Sequence, residues 1–154
     1  MSAISSSRTL HRLIYSSRQN IHAADLDHEV GSIVRVSIRN NRAASITGLL
    51  LVHAGWFLQA LEGPAEQVMT TYRRILGDPR NAEARILGAG PAQDREFADW
   101  NMCARRMSDA DDAILDTLER RELFAPHTLS AASAMRLLKS VRGVQERTQL
   151  SASR

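Results

Sequence analysis

The sequence lacks several features on which common classes of protein depend. Its 154 residues contain one cysteine, Cys103, so no disulfide can form within the chain, which is typical of a reducing, cytoplasmic setting. No apolar run approaches the roughly 20 residues of a membrane helix, and the N-terminus has no long apolar segment of a secretory signal. The net charge of +3 is too small to indicate nucleic acid. We therefore expect a soluble cytoplasmic protein that binds neither membrane nor nucleic acid.

Sequence motifs of metal sites and common enzymes are also missing. The five histidines are scattered, and no pair of them has the i,i+4 spacing of neighbours on a helix. No set of cysteines and histidines has zinc spacing, and no glycine-rich phosphate loop or nucleophile elbow occurs. Only seven residues are aromatic, too few to indicate a sheet face that stacks RNA bases. The sequence thus predicts no metal site and no catalytic residue.

Hydrophobic periodicity and turn signals predict one α+β domain. The predicted elements are a strand over 10–16, a helix that begins after Asp25 and ends near Asn40 and Asn41, a hairpin that turns at His53, Ala54 and Gly55, a helix with Pro64 in its first turn that stops at Gly77, and strands over 83–89 and 96–102. This order indicates a ferredoxin-like β-α-β-β-α-β sandwich plus a fifth strand. Its two helices cover one face of the sheet and leave a slot between them.

The two ends of the chain differ in composition from this domain, which spans 10–102. Residues 1–9 are rich in serine and 143–154 are polar, so we expect both ends to be disordered. Residues 103–142 form a predicted extension with helices over 109–124 and 129–141, each with an apolar stripe that must be buried. We expect these helices to cover the second face of the sheet. The residues proposed for that face are Ile14, Ile46, Leu50, Trp56, Leu58 and Ala60.

Polar side chains occupy positions that the strand pattern predicts to be buried. Gln59 shares a strand face with Phe57 and Leu61, and Tyr15 shares one with Leu13 on a strand that the topology places alongside. A buried amide that is left without partners costs about 1–3 kcal/mol. Ordinary roles stay open, since a core tyrosine often bonds a backbone group and an asparagine at a helix end is often a cap. The combination of Tyr15, Gln59, Asn40 and Asn41 is harder to attribute to packing and capping than any one of these residues.

Five sequence blocks within residues 10–102 resemble the BLUF domain, a family of blue-light sensors that use flavin. In chain order the blocks are LIYSS, SIRNNRAASITGLLL, WFLQALEG, ILGDPRN and REFADWNM. The resemblance implies a photoreceptor without enzyme activity. It also implies that a non-covalent flavin lies between the two helices, with FAD expected and FMN or riboflavin as alternatives.

The resemblance also implies roles for single residues. The photoactive set would be Tyr15, Gln59, Trp100 and Met102, and the flavin-binding set would be Ile33, Ser37, Asn40, Asn41, Arg80 and Asn81. Excited flavin would draw an electron from Tyr15, and the hydrogen bonds around Gln59 would then be rearranged. The last strand would pass this change to the C-terminal helices, and from there to an unidentified downstream protein or a homo-oligomer interface. Asn81 stands where the family usually has histidine, which puts a histidine-like role near the flavin in doubt.

Two other functions stay open at this point. A small acylphosphatase-like hydrolase would use the same kind of sheet, with an arginine and an asparagine binding a phosphate. A flavin-free interaction module is the other alternative, because fold alone does not decide function.

Overall fold

Five strands form the sheet of this computed structural model, which describes residues 9–98, 104–106 (backbone) and 126–140. The strands are β1 (Leu10–Gln19), β2 (Thr47–His53), β3 (Trp56–Pro64), β4 (Asn81–Pro91) and β5 (Ala104–Arg106). Their order across the sheet is β4-β1-β3-β2-β5. β5 pairs parallel with β2, and the other neighbours are antiparallel. The first four strands have the order of a ferredoxin-like sandwich, which confirms the predicted fold.

The first long helix, α1 (Leu26–Ala44), continues past the end predicted for it. The prediction placed its end near Asn40 and Asn41, but both residues lie inside the helix. Its C-cap is Ser45, whose left-handed conformation (φ 58°) stops the helix. A short 3-10 turn, Ala23–Asp25, precedes α1. Asp25 takes the N-cap position but makes no side-chain capping hydrogen bond.

The hairpin and the second helix, α2 (Ala65–Leu76), follow the predicted order. Ala54 and Gly55 both have positive φ, 51° and 84°, as a two-residue turn between twisted antiparallel strands requires. α2 begins one residue after Pro64, which ends β3 as the N-cap instead of lying in the first turn. Gly77 is its C-cap, as predicted, although in a right-handed conformation (φ −81°).

The strand predicted over 96–102 is wrong in its described part. Residues 96–98 are bends and a turn, and the fifth strand is Ala104–Arg106. The reason is that the backbone N–H groups of Glu96 and Phe97 donate to the carboxylate of Glu62 and are not available to a strand ladder. Residues 99–103, which include Trp100 and Met102, lie outside the described residues.

The sheet separates two apolar clusters, because successive side chains of a strand point to opposite faces. The cluster beneath α1 and α2 contains Leu13, Tyr15, Val30, Ile46, Leu50, Val52, Phe57, Leu61, Val68 and Tyr72. The cluster on the opposite face contains Ile14, Leu49, Leu51, Leu58, Ala60, Phe97, Ala134, Leu137 and Leu138. Alternate residues of β1 and β3 therefore build different cores.

The helical segment 131–140 covers the second face of the sheet, as predicted for the C-terminal extension. The segment begins two residues later than predicted, and the expected helix over 109–124 lies outside the described residues. It approaches β4 so closely that a Cβ at Gly88 would meet the Cβ of Ala131 at 2.6 Å. The predicted extents of the disordered ends and of the extension stay predictions.

The composition of that second face was predicted correctly only in part. Ile14, Leu58 and Ala60 belong to it. Ile46 and Leu50 belong to the opposite cluster. For Leu50 the reason is the strand register, because it pairs with Gln59 on the face toward the helices. Within the described ranges, no helix combines the length and the apolar character needed to cross a membrane.

The packing of segment 131–140 generates a stability prediction. Leu137 is 1% exposed in the second cluster, so Leu137→Ala should lower the free energy of unfolding by about 2–5 kcal/mol, as for other buried leucines. Urea denaturation measures the change. Arg136→Ala is the matched control, because Arg136 is exposed on the same segment and its removal leaves no cavity. Equal, small effects of both substitutions would contradict this packing.

Candidate functional site

The polar pair predicted on β1 and β3 is formed in the structure. Tyr15 and Gln59 are directly opposite each other in the register of the two strands, and the hydroxyl of Tyr15 donates a hydrogen bond to Oε1 of Gln59. Both side chains are buried, with 3% and 4% exposed. Gln59 is therefore partnered by another side chain at the centre of the sheet. The alternative of a purely backbone-bound tyrosine does not describe Tyr15.

The surroundings of Tyr15 keep its phenol protonated. Burial raises the pKa of Tyr15 far above that of a free tyrosine, and the nearby Tyr72 and Asp78 add to the increase. Tyr72, on α2, packs its ring against that of Tyr15, with 5.3 Å between the centroids and 56° between the planes. At neutral pH Tyr15 thus holds a proton whose hydrogen-bond acceptor is Gln59.

A slot lies above this pair, between α1 and α2. It consists of two adjoining pockets that enclose about 510 and 380 Å³ of space, including their open mouths. The residues that line both pockets are Ile33, Ser37, Gln59, Ile75, Asp78 and Arg80. Asn40 and Asn41 line the first pocket, and Tyr15 and Asn81 line the second.

The residues from α1 reach the slot because they share one helix face. Ile33, Ser37 and Asn41 follow one another at intervals of four residues, and Asn40 lies beside them. Asn41 is 2% exposed, so its amide faces the protein interior and not the solvent. All the predicted site residues that the structure describes therefore meet at one slot. Trp100 and Met102 are outside the described residues, so their predicted roles stay predictions.

The loop after α2 is held against α1 by Arg80. Its guanidinium pairs with Asp78 at 2.6 Å and with Glu29 of α1 at 3.2 Å. The hydrogen bonds from Arg80 lower the pKa of Asp78, and those same bonds to Asp78 raise the pKa of Arg80. The charge of Arg80 is thus already balanced by two carboxylates at the rim of the slot.

Asn81, the residue that departs from the usual family block, has a structural role in this conformation. Its Nδ2 donates to the carbonyl oxygens of Ile75 at 2.9 Å and Asp78 at 3.1 Å. These bonds give hydrogen-bond partners to carbonyl oxygens at and just after the end of α2, and they fix the loop that carries Arg80. A contact of Asn81 with flavin stays a prediction.

One wall of the slot was missed by the sequence interpretation. Thr71, Arg74, Ile75 and Asp78 line the first pocket from α2 and the loop after it. None of these four residues was predicted from the sequence to belong to the site. Within α2, the spacing of Thr71, Arg74 and Ile75 places them on one helix face, and Asp78 follows in the loop. That spacing, read together with the opposing face of α1, was the available signal.

The comparisons with known proteins agree with this geometry. The family model for BLUF, described as sensors of blue light using FAD, matches residues 10–103. The chain belongs to the BLUF family. Photoactivated adenylate cyclase subunit beta of Euglena gracilis is 37% identical over 95 residues, which are 61% of this chain and 11% of that protein. The blue light- and temperature-regulated antirepressor BluF of Escherichia coli (strain K12) is 34% identical over 104 residues, 66% of this chain and 25% of that protein.

A solved BLUF structure shares the arrangement of elements. The dark-state structure of BlrB, a BLUF protein, superposes with a TM-score of 0.72 at 30% identity and covers 87% of this chain and 98% of that one. By contrast, this chain spans only a small part of the length of the two curated relatives.

The slot fits a flavin by its own chemistry. A flavin ring is flat and apolar on its faces and has donors and acceptors along one edge. Ile33 and Ile75 supply apolar groups from the two helices, and Asn41 and Gln59 supply amides. In the described part of the chain, no cluster of histidine, cysteine and carboxylate side chains could hold a metal ion.

The burial of the two tyrosines generates a titration prediction. The chain has only two, and burial raises the pKa of Tyr72 as well as that of Tyr15. A free tyrosine ionises near pH 10. In the folded protein, both phenols should therefore stay protonated at that pH and ionise only at higher pH. Because the folded pKa of Tyr15 is raised, the stability that its proton contributes is complete below about pH 10 and declines at higher pH.

Carbon-13 NMR of protein labelled at the tyrosine Cζ carbons measures both ionisations directly. Tyr15→Phe is the matched variant, because it assigns the remaining signal to Tyr72 and should lose less stability above pH 10 than the unchanged protein does. A Tyr15 signal that titrates as in a free tyrosine would contradict the burial described above.

Proposed function

We propose that this BLUF protein binds flavin in the slot between α1 and α2 and that the Tyr15–Gln59 pair is its light-responsive element. The observation that carries the proposal is the buried hydrogen bond from Tyr15 to Gln59 on the floor of the slot. Blue-light sensing with a flavin is the function of the family. The specific residues are our assignment, supported by their convergence on the two adjoining pockets of one slot.

The binding roles follow from the chemistry of each wall. Ile33 and Ile75 would pack on the faces of the flavin ring. Asn41, supported by Ser37 and Asn40, would bond its polar edge from α1. Arg74 lies in the opposite wall, where a cation would interact with polar oxygen atoms of the flavin. Arg80 would act mainly by holding the loop in place, because its charge is paired with Asp78 and Glu29.

The switching role follows from the proton of Tyr15. When bound, the flavin supplies absorption of blue light and, in its excited state, an acceptor for an electron. Tyr15 is buried and its hydroxyl donates to Gln59, so we assign this hydrogen bond as the path of its proton. The amide of Gln59 has a donor end and an acceptor end. A rotation or tautomerisation of this side chain exchanges the group that faces Tyr15, and the rearranged hydrogen bonds constitute the signal.

We propose FAD as the flavin, because the family is described by that cofactor. FMN and riboflavin carry the same ring and would make the same contacts in the slot. Mass spectrometry of the flavin released by denaturation distinguishes the three.

We further propose that this chain acts as a sensor and not as an enzyme, with its output to a downstream protein or a homo-oligomer interface in the cytoplasm. The names of two relatives describe a cyclase subunit and an antirepressor, and the matched region is a minor part of each. We do not propose an acylphosphatase-like activity, because the family model that matches residues 10–103 describes sensors of blue light.

The test of the switching role is Gln59→Leu. Leucine fills similar space but cannot relay a hydrogen bond, so the variant should retain flavin and lose the light-induced red shift of its absorption. Gln67→Leu is the matched control, because Gln67 is exposed on α2 and should leave the photocycle unchanged. A normal red shift in Gln59→Leu would refute the assignment.

A further inference from the structure

Glu62 is a fully buried carboxylate that the flavin slot does not use. It is 0% exposed and lies on β3, three residues after Gln59. Side chains three apart on a strand point to opposite faces, so Glu62 faces away from the slot while Gln59 faces into it. Burial of a charge is costly unless it is paired and hydrogen-bonded, and the partners of Glu62 therefore indicate its role.

The partners of Glu62 come from β1, from β2 and from the irregular segment 95–97 after β4. On β2, Oγ1 of Thr47 donates to Glu62 at 3.4 Å. Nε of Arg12 donates to one carboxylate oxygen at 2.9 Å. The backbone N–H of Glu96 donates to the same oxygen at 2.8 Å, and that of Phe97 donates to the other oxygen at 2.9 Å. Bonds from N–H groups to a carboxylate are among the strong hydrogen bonds of proteins. One side chain thus fixes the position of two consecutive backbone amides.

Arg95 makes further hydrogen bonds that hold residues 95–97 in place. Its guanidinium donates to the carbonyl oxygen of Glu62 at 3.0 Å and to Oγ1 of Thr47 at 2.8 Å. It also donates to the carbonyl oxygen of Ser45 at 2.8 Å, and Ser45 is the C-cap of α1. Residues 95–97 are therefore bound both to β3 and to the end of the helix that carries Asn41.

Residues 96 and 97 also contact segment 131–140. The side chain of Phe97 is 1% exposed and belongs to one cluster with Leu137 and Leu138 of segment 131–140. The carboxylate of Glu96 lies 3.5 Å from Nζ of Lys139. A physical connection thus runs from Gln59 along β3 to Glu62, across to residues 96–97, and on to segment 131–140.

We propose that Glu62 is the positioning residue that couples the light-driven rearrangement at Gln59 to segment 131–140. The inference rests on the proposed function, because the rearrangement must occur before it can be passed on. A displacement of β3 moves the carboxylate of Glu62, and the amides of Glu96 and Phe97 must follow it or lose their acceptor. Phe97 then changes its packing against Leu137 and Leu138, so that segment 131–140 packs differently in the light than in the dark.

The test uses Glu62→Gln in the full chain with bound flavin. Glutamine keeps the shape but has one acceptor oxygen, so it cannot accept both N–H groups as the carboxylate does. The readout is amide hydrogen exchange of residues 126–140 in the dark and under blue light. We expect the red shift to persist and the light-minus-dark difference in exchange to be lost. Glu83→Gln is the matched control, because Glu83 is an exposed carboxylate paired with Arg18, and it should retain both.

A merely structural role would lower protection equally in the dark and in the light and leave the difference between them intact. Persistence of that difference in Glu62→Gln would overturn the proposal. If the variant does not fold, exchange of the Glu96 and Phe97 amides in the unchanged protein decides. The proposal requires their protection to change under blue light, and a red shift without such a change would overturn it. Absence of the red shift itself would instead contradict the proposed function.

Discussion

The hydrogen bond between Tyr15 and Gln59 is the interaction on which the rest of the site depends. A phenol and an amide inside an apolar core each cost free energy unless they are partnered, and here each satisfies the other. The pair exists because β1 and β3 are in register at these two residues. A slip of one residue would move a whole strand face to the other side of the sheet. The register therefore determines both the stability of the core and the floor of the flavin slot.

The sheet also separates the sensing face from the face that carries the C-terminal segment. Gln59 points toward α1 and α2, whereas Leu58 and Ala60, its neighbours in the chain, pack with segment 131–140. A change in the slot must therefore cross the sheet through the backbone of β3 or around its edge. The buried carboxylate of Glu62 supplies a route through β3. Glu62 belongs to this strand and binds the backbone of residues 96 and 97, which contact segment 131–140.

The sequence predicted the parts of this arrangement that depend on local periodicity. Alternation in FLQALEG placed Gln59 on the buried helix-covered face, and the turn at Gly55 established the hairpin. The contribution of Asn41 came from the family resemblance, since its helix could be traced but not its contacts. The fifth strand was misplaced because Phe97 looks like a strand residue, and only the folded chain brings Glu62 to its N–H group. Arg74 was missed because an arginine on an amphipathic helix can face solvent or a pocket equally well.

Visible absorption spectra of the purified protein before and after blue light test whether a bound flavin responds through the Tyr15–Gln59 pair. We expect a yellow protein whose flavin bands move reversibly to longer wavelength while the flavin remains oxidised, because only hydrogen bonds around Gln59 change. A colourless protein, or a flavin that bleaches without a shift, would contradict it.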